Sequence, residues 1–391
     1  MNARPRIDTA GRRARLAVRQ LLTPGSRART AEEVAESVLA LHASDPSSVF
    51  LSAGARMTDP GIPEVERALY EDATLVRMHG MRHTLFVVPA DVAPLVQSST
   101  TRKVAERERR GLVAFAAEGG FDEAWLARVQ EEALAALAES GHASGSRLGE
   151  LVPDLRQGIA VSVGKPYEAV QTIGTRLLRV LGMEAAIIRR RPVGSWTSNQ
   201  HHWAVHRPYP DLPVAQAQAD LARRWLDRYG PGTVDDLKWW TGWTVREVRA
   251  ALAACGAVAV TVDCGTEERE GFVLPEDVEP VPQPEPWAAL LPGLDPTPMG
   301  WQLRDWYLPP EHRAELFDRS GNIGPTVWWD GRIVGGWAQR ADGEVVTELF
   351  GRPGVEATAA VAAEADRLRA WLGPSRVTPR FRTPLERRLS A

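Results

Sequence analysis

The chain of 391 residues is short of cysteine, lysine and long apolar stretches. Its two cysteines, Cys255 and Cys264, are too few for a disulfide scaffold and cannot by themselves close a zinc site. No apolar run approaches the roughly 18–20 residues that a membrane span needs. The N-terminus, Met1 to Arg19, is basic but lacks the apolar core of a secretory signal. A protein of the reducing cytoplasm is therefore expected. No glycine-rich, phosphate-cradling loop is present, so no nucleotide cofactor is implied. His201, His202 and His206 have no carboxylate or cysteine at ligand spacing before Asp211, so no metal site is expected. What is present, 44% hydrophobic and 25% charged residues, is an ordinary globular composition that excludes wholesale disorder.

The formal net charge of -3 conceals a segregated distribution. Only Lys103, Lys165 and Lys238 are lysines, so nearly all cationic charge is guanidinium, whose rigid donor fork suits phosphate and guanine edges. Arginines cluster in Met1–Thr30, in Arg189-Arg190-Arg191 and in Arg367–Ala391. A coding bias toward arginine accounts for the abundance but not for the three patches. On a globally acidic chain they point to a localised anion-binding face.

Along the chain one pattern recurs. Helical periodicity over Arg12–Leu22, Ala31–Leu41 (with Thr30 and Glu33 as a capping box), Ser47–Met57 and Pro63–Tyr70 precedes a hairpin of Leu75–Met78 and Thr84–Val88. Helices over Glu123–Glu139, Ser144–Leu151 and Pro166–Leu181 precede a hairpin of Ala185–Arg191 and Ser195–Ser198. A helix over Pro213–Tyr229 is followed by Thr233-capped and Thr244-capped helices around Gly242, the clearest helix–turn–helix in the chain, and by strands Ala257–Asp263 and Gly271–Leu274. After the proline-rich stretch Pro275–Pro286 the signal turns to strand, with Asp330-Gly331 and Asp342-Gly343 as type I′ hairpin turns and a helix over Glu356–Leu372. The expected fold class is α+β: three tandem winged-helix modules (1–120, 121–208 and 209–278), then a small barrel-like C-terminal β-domain (284–391) with one closing helix.

Four segments carry a family resemblance: Val38 to Asp45, Val76 to Leu85, Leu291 to Trp301, and Val327 to Trp337. Together they resemble the winged-helix proteins of the AlkZ and YcaQ DNA glycosylase superfamily. The resemblance implies a basic concave face that wraps duplex DNA, and metal-free hydrolysis of the N-glycosidic bond of bulky N7-alkylated purines. Repair, or self-resistance to a DNA-alkylating natural product, is the implied role, and a monomer the implied state. The glycosylases' Gln-x-Gln or Gln-x-Asp motif falls here on His42 and Ser44, with Asp45 next, so this sequence departs from the motif at the reacting centre.

An N7-alkylated purine is already activated as a leaving group by its positive charge. The protein needs only to orient a water at the anomeric carbon and to stabilise oxocarbenium character. A neutral His42 can accept from that water, Ser44 can hold its other side, and Asp45 can orient His42 or face the developing charge. The same residues also read as a polar helix C-cap followed by the N-cap of the next helix, in which case the chain is a non-catalytic DNA-binding or regulatory protein. Arg189, Arg190, Arg191, Arg380 and Arg382 are the expected phosphate contacts and Trp196 a stacking platform, with Arg82 and Arg246 completing the DNA face. Trp239-Trp240, Trp328-Trp329 and Trp337 are expected in the core.

Overall fold

A computed structural model describes residues 4–162, 164–166 and 168–391. Tyr167, inside the helix expected from Pro166, lies outside them, as do residues 1–3. The chain is a mixed α/β structure of many helices and several small sheets. In two places a very short strand, and in a third a single bridging residue, pairs with the second strand of a following hairpin. Leu41–His42 lies on Leu85–Pro89, which pairs with Leu75–His79. Ala143–Ser144 lies on His201–Val205, which pairs with Ile187–Pro192. A single bridge joins Gly232 to Phe272 in the hairpin of Val258–Asp263 and Glu268–Val273, whose outer edge takes Arg6–Ile7 in parallel.

The helix–turn–helix of the third repeat forms as its sequence dictates. Thr233 and Thr244 each open a helix with a reciprocal capping box, to Asp236 and Glu247, and Gly242 ends the first at φ 81°, a conformation that favours glycine. Several local expectations are corrected. The Thr30 helix stops at Val38, where Leu39 turns to φ 59°, so Leu41–His42 is extended rather than helical. Thr30 does accept from the Glu33 amide, but Glu33 reaches back to the Arg29 amide, one residue early for a capping box. Residues after Pro166 form the strand Ala169–Thr172, paired with Gly158–Val161, before the helix Ile173–Met183 begins. The second wing strand is His201–Val205, because Ser195 to Ser198 close the turn on their own side chains.

The C-terminal sheet is open, which corrects the barrel-like expectation. Its order is Ala288–Leu291, Thr326–Trp329, Arg332–Gln339, Val345–Leu349, all antiparallel, and among the described residues its two outer strands do not meet. The helix Val355–Leu372 covers one face instead of a closing strand pair. Asp330 and Gly331 both take positive φ, as a type I′ turn requires. At the second turn only Gly343 does, so Arg332 to Gln339 runs as one strand into a longer loop. Trp240, Trp328 and Trp337 are buried as expected, whereas Trp239 and Trp329 are half-buried.

The largest apolar core draws on residues from Leu16 to Leu385, joining the first and third repeats to the C-terminal sheet, while residues 112–203 gather a core of their own. Across this junction lies an ion pair with both side chains fully buried, Arg56 to Asp295. Arg56 donates to both carboxylate oxygens (2.8 and 2.7 Å), to the Gln20 and Ser52 carbonyls (3.0 and 2.9 Å) and to Thr297 Oγ1 (2.7 Å). Removing one partner strands a buried charge. Arg56→Leu or Asp295→Leu alone is expected to lower unfolding free energy by about 3–5 kcal/mol, and the double variant by less than the sum. Urea denaturation of the four proteins checks this, and additive losses would rule out the coupling.

Candidate functional site

The end of the Ala31–Val38 helix decides the geometry of the His42 turn. The chain is extended over Leu41–His42, and Ser44 lies in the bend that follows, two residues beyond the His42 ring. His42 pairs with Phe86 in the sheet and packs its ring against the Phe86 ring at 4.9 Å. The Ser44 amide donates to His42 Nδ1 at 3.4 Å, a long contact. Accepting at Nδ1 places the ring proton on Nε2, which has no hydrogen-bond partner among the described residues. The ring is 6% exposed, and burial, with the field of Arg82, pushes its pKa down to about 3. His42 is therefore neutral at physiological pH.

Ser44 is half-buried, and its hydroxyl makes no hydrogen bond among the described residues. Asp45 is committed to structure. One carboxylate oxygen caps the Pro46–Arg56 helix through the Ser47 amide (3.0 Å) and hydroxyl (2.7 Å), and the other accepts from the Arg380 amide (2.9 Å). No hydrogen bond joins it to His42.

Guanidinium groups surround this turn. Arg77 donates to the Ala43 carbonyl (2.6 Å), and Arg380 to the Ser44 carbonyl (3.1 Å) and Asn199 Oδ1 (3.3 Å). Arg189 sits over the Trp203 ring at 5.1 Å and has its pKa pushed down to about 9 by burial, then by Arg77, Arg380 and Arg179. Arg82, at φ 52° in the first hairpin turn, lies 4.0 Å from the Trp239 ring centre, and Arg304 lies 4.6 Å from it, so one tryptophan is shared by two cations. Burial and Arg304 lower the Arg82 pKa to about 10. Arg380 also lines a groove of about 930 Å³ with Phe317, Phe381, Arg382 and Arg387.

Of the expected residues, the fold thus brings together His42, Ser44, Asp45, Arg82, Arg189 and Arg380. The others are engaged elsewhere or lie off the turn. Arg190 is tied to the Tyr70 carbonyl (2.7 Å), and Arg191 is ion-paired with Glu66 and Glu71. Arg382 makes a two-pronged ion pair with buried Glu386 (2.7 and 2.9 Å). Trp196 is in the core between Phe50 and Trp371, which leaves no ring face for a base. Arg246 is exposed on the second helix of the helix–turn–helix. His202 and His206 donate from Nδ1 to the carbonyls of Arg191 and Ala185, and among the described residues no group of three or more His, Cys, Asp or Glu side chains could hold a metal.

Sequence reasoning missed Arg77, His79 and Arg304. Arg77 alternates with Val76 and Met78 inside the expected strand, while His79, expected in the turn, ends the strand on the same face. Arg304 lies in an irregular segment with no periodic signal.

Comparison with known proteins gives the class and then particular relatives. Residues 35–371 match the family described as DNA glycosylase AlkZ-like, so the chain belongs to that family. Over 180 residues it is 31% identical to an interstrand DNA cross-link repair glycosylase of Streptomyces sahachiroi, covering 44% of this chain and 47% of the relative. The matched region thus spans about half of that relative's length. The Streptomyces sahachiroi DNA glycosylase AlkZ superposes with a TM-score of 0.70 at 22% identity, over 93% of this chain and 97% of that one, which establishes a shared fold. No helix among the described residues is long and apolar enough to cross a membrane.

His42 and His79 are both buried, 6% and 7% exposed, and burial holds each pKa at about 3. Below about pH 6.5 the unfolded chain protonates these histidines and the folded chain does not. Stability is therefore full above about pH 6.5 and falls as pH drops toward 3, by about 1.4 kcal/mol per pH unit for each histidine. Urea midpoints between pH 7 and pH 4 should show this loss, and His79→Gln should make the dependence shallower. An unchanged slope would refute the buried, neutral assignment of His79.

Proposed function

We propose that this protein is a monofunctional DNA glycosylase that hydrolyses the N-glycosidic bond of bulky N7-alkylated purines in duplex DNA, acting as a monomer in the cytoplasm. The role is DNA repair or self-resistance to a DNA-alkylating natural product. On this reading the three helix–strand–hairpin repeats are winged-helix modules, at 1–120, 121–208 and 209–278, that present DNA to the His42 turn, and 284–391 is the β-domain that braces it. The observation that carries the proposal is the His42–Ser44 turn: a neutral imidazole and, two residues on, a hydroxyl with no partner among the described residues, while Arg77 and Arg380 grip the carbonyls of Ala43 and Ser44.

The geometry changes the expected role of His42. With Nδ1 accepting from Ser44, Nε2 is a donor, so the ring anchors the water or the purine by a hydrogen bond and takes no proton. Ser44 Oγ is free to accept from the attacking water. Since the leaving purine carries its own positive charge, it departs neutral with the C–N bonding pair and no general acid is needed, and the proton lost by the attacking water passes to solvent. Asp45 contributes a fixed negative charge near the turn while holding the helix start. The groove of about 930 Å³ beside Arg380 offers room for a bulky substituent on the lesion.

Base release from duplexes carrying N7-alkylguanine adducts of graded bulk tests the activity. In single-turnover assays His42→Ala should slow release by about 10²–10³-fold, the weight of one preorganised donor, with duplex affinity nearly unchanged. His42→Gln keeps a neutral donor and should retain more activity. Ser44→Ala should lose about 2–12-fold, one hydrogen bond of about 0.5–1.5 kcal/mol. Because the His42 pKa lies near 3, the rate should be flat from about pH 5 to 8; a fall centred near pH 6.5 contradicts the neutral-donor role. Wild-type release by a folded His42→Ala protein leaves the non-catalytic DNA-binding alternative.

A further inference from the structure

The hairpin of the first repeat lies against that of the second, strand Leu75–His79 beside strand Ile187–Pro192. The side chains in this seam are not apolar. Arg77 and His79 come from one strand, and Arg189 and His201 from the other hairpin, where His201 packs edge-on to Trp203 at 4.7 Å beneath the Arg189 guanidinium. The hairpins do not close on one another. A cavity of about 350 Å³ lies between them, and among the described residues its wall holds Arg77, Arg189 and Arg190 but no carboxylate.

Buried polar groups are normally paired, and these are not. Arg77 Nε, Arg189 Nε, both nitrogens of His79 and His201 Nε2 are sealed from solvent without a hydrogen-bond partner among the described residues. The Arg189 side chain makes no hydrogen bond or ion pair among those residues, in a chain whose other arginines are mostly matched to acids. Arg77 and Arg380 grip adjacent carbonyls, Ala43 and Ser44, and Arg380 reaches Asn199, whose carbonyl meets His201 Nδ1 at 3.2 Å. A continuous set of contacts thus links the seam to the His42 turn. Among the described residues the carboxylate that acts on Arg77 is Asp45, which is already engaged. Holding several guanidinium charges together without counter-charge is costly and is relieved by an anion that binds there.

We propose that this seam is a phosphate seat, in which Arg77, Arg189 and Arg380 hold a backbone phosphodiester of the DNA beside the His42–Ser44 turn. The inference rests on the glycosylase reading for the source of the phosphate, though not for the anion site itself. It also resolves an electrostatic conflict. A ring of bare arginines would repel a cationic purine and the oxocarbenium ion it leaves, whereas a seated phosphate cancels part of that field before the lesion arrives. The substrate supplies the counter-ion for its own reaction. His79 and His201, held neutral by burial, keep the floor of the seam from adding further positive charge.

Two measurements on the full chain test this without requiring base release. Inorganic phosphate at constant ionic strength should raise the wild-type melting temperature, and Arg189→Ala should abolish most of that rise. Since Arg189 has no protein hydrogen bond to lose, the variant should fold; Arg77→Gln provides a second probe. For an undamaged duplex, each substitution should weaken binding on the order of tenfold. It should also reduce the slope of log affinity against log salt by about 0.9, while Arg128→Ala, an exposed arginine paired with Glu132 and Asp154, leaves the slope alone. Phosphate stabilisation that ignores Arg189, or an unchanged slope in both variants, overturns the seat. Stabilisation that depends on Arg189 in a protein that binds no duplex overturns the assignment to DNA phosphate. Absent base release with both effects intact overturns the glycosylase reading alone and upholds the seat.

Discussion

The buried pair of Arg56 and Asp295 fixes the position of almost everything around the His42 turn. Arg56 is the last residue of the helix Pro46–Arg56, whose first turn is capped by Asp45. The same helix is pinned at Ser48, which donates to the Gly293 carbonyl at 2.7 Å, and near its end, where Arg367 donates to the carbonyls of Gly54 and Ala55. Gly54 lets the helix approach closely, since a Cβ there would meet the Trp371 ring at 3.1 Å and push it back by a few tenths of an ångström. The helix is thus fastened at both ends to the C-terminal region. A desolvated ion pair is a poor source of net stability compared with apolar packing, but it demands one geometry. Here that geometry sets the angle at which the preceding turn meets the first hairpin.

The second organising feature is how charge is distributed between paired and unpaired arginines. On the outer surface Arg67, Arg128, Arg191 and Arg388 each meet two or more carboxylates. Around the turn, Arg77, Arg82, Arg189 and Arg304 instead meet carbonyls and aromatic faces. Aromatic rings and carbonyls hold a guanidinium in place without neutralising it, so the positive field survives around the turn. Counting arginines along the sequence could not separate these two populations. Arg189, Arg190 and Arg191 are consecutive, yet one faces the seam, one is tied to the Tyr70 carbonyl and one is saturated by acids.

That contrast defines what was legible beforehand. Capped helices such as Val234–Thr241 and Val245–Ala254, and the Asp330-Gly331 turn, are written locally, because a hydroxyl at an N-cap or a glycine at positive φ acts within a few residues. The repeat of helices and hairpins was legible for the same reason. What failed depended on distant partners. The Ala31 helix ends at Val38 because Leu41 and His42 find a sheet partner in Val87 and Phe86, about 45 residues on. The C-terminal strands stay open because a helix, not a strand, covers their face. Trp196 lies beside the arginine run in sequence but packs against Trp371 from the far end of the chain. Arg77 was visible as a polar strand position, and its importance emerged only when the second hairpin supplied Arg189 opposite it.

The departure from the glutamine motif has a physical reading on the same terms. Glutamine offers an uncharged donor and acceptor at every pH, whereas an ordinary histidine would spend part of its time as a cation near pH 6.5. A charged ring beside Arg82 would add to a field already short of counter-charge, and would face a purine and a sugar that are themselves positive in the proposed reaction. Burial against Phe86 removes that state, so His42 presents, like an amide, a fixed neutral donor, with its acceptor nitrogen turned to the Ser44 amide. The constraint runs outward from this ring. Any change that hydrates the Phe86 side of the turn, or that lets Asp45 swing from its cap toward His42, restores the histidine's ability to charge. The packing that makes His42 look like a core residue is therefore what would let it stand in a glutamine's place.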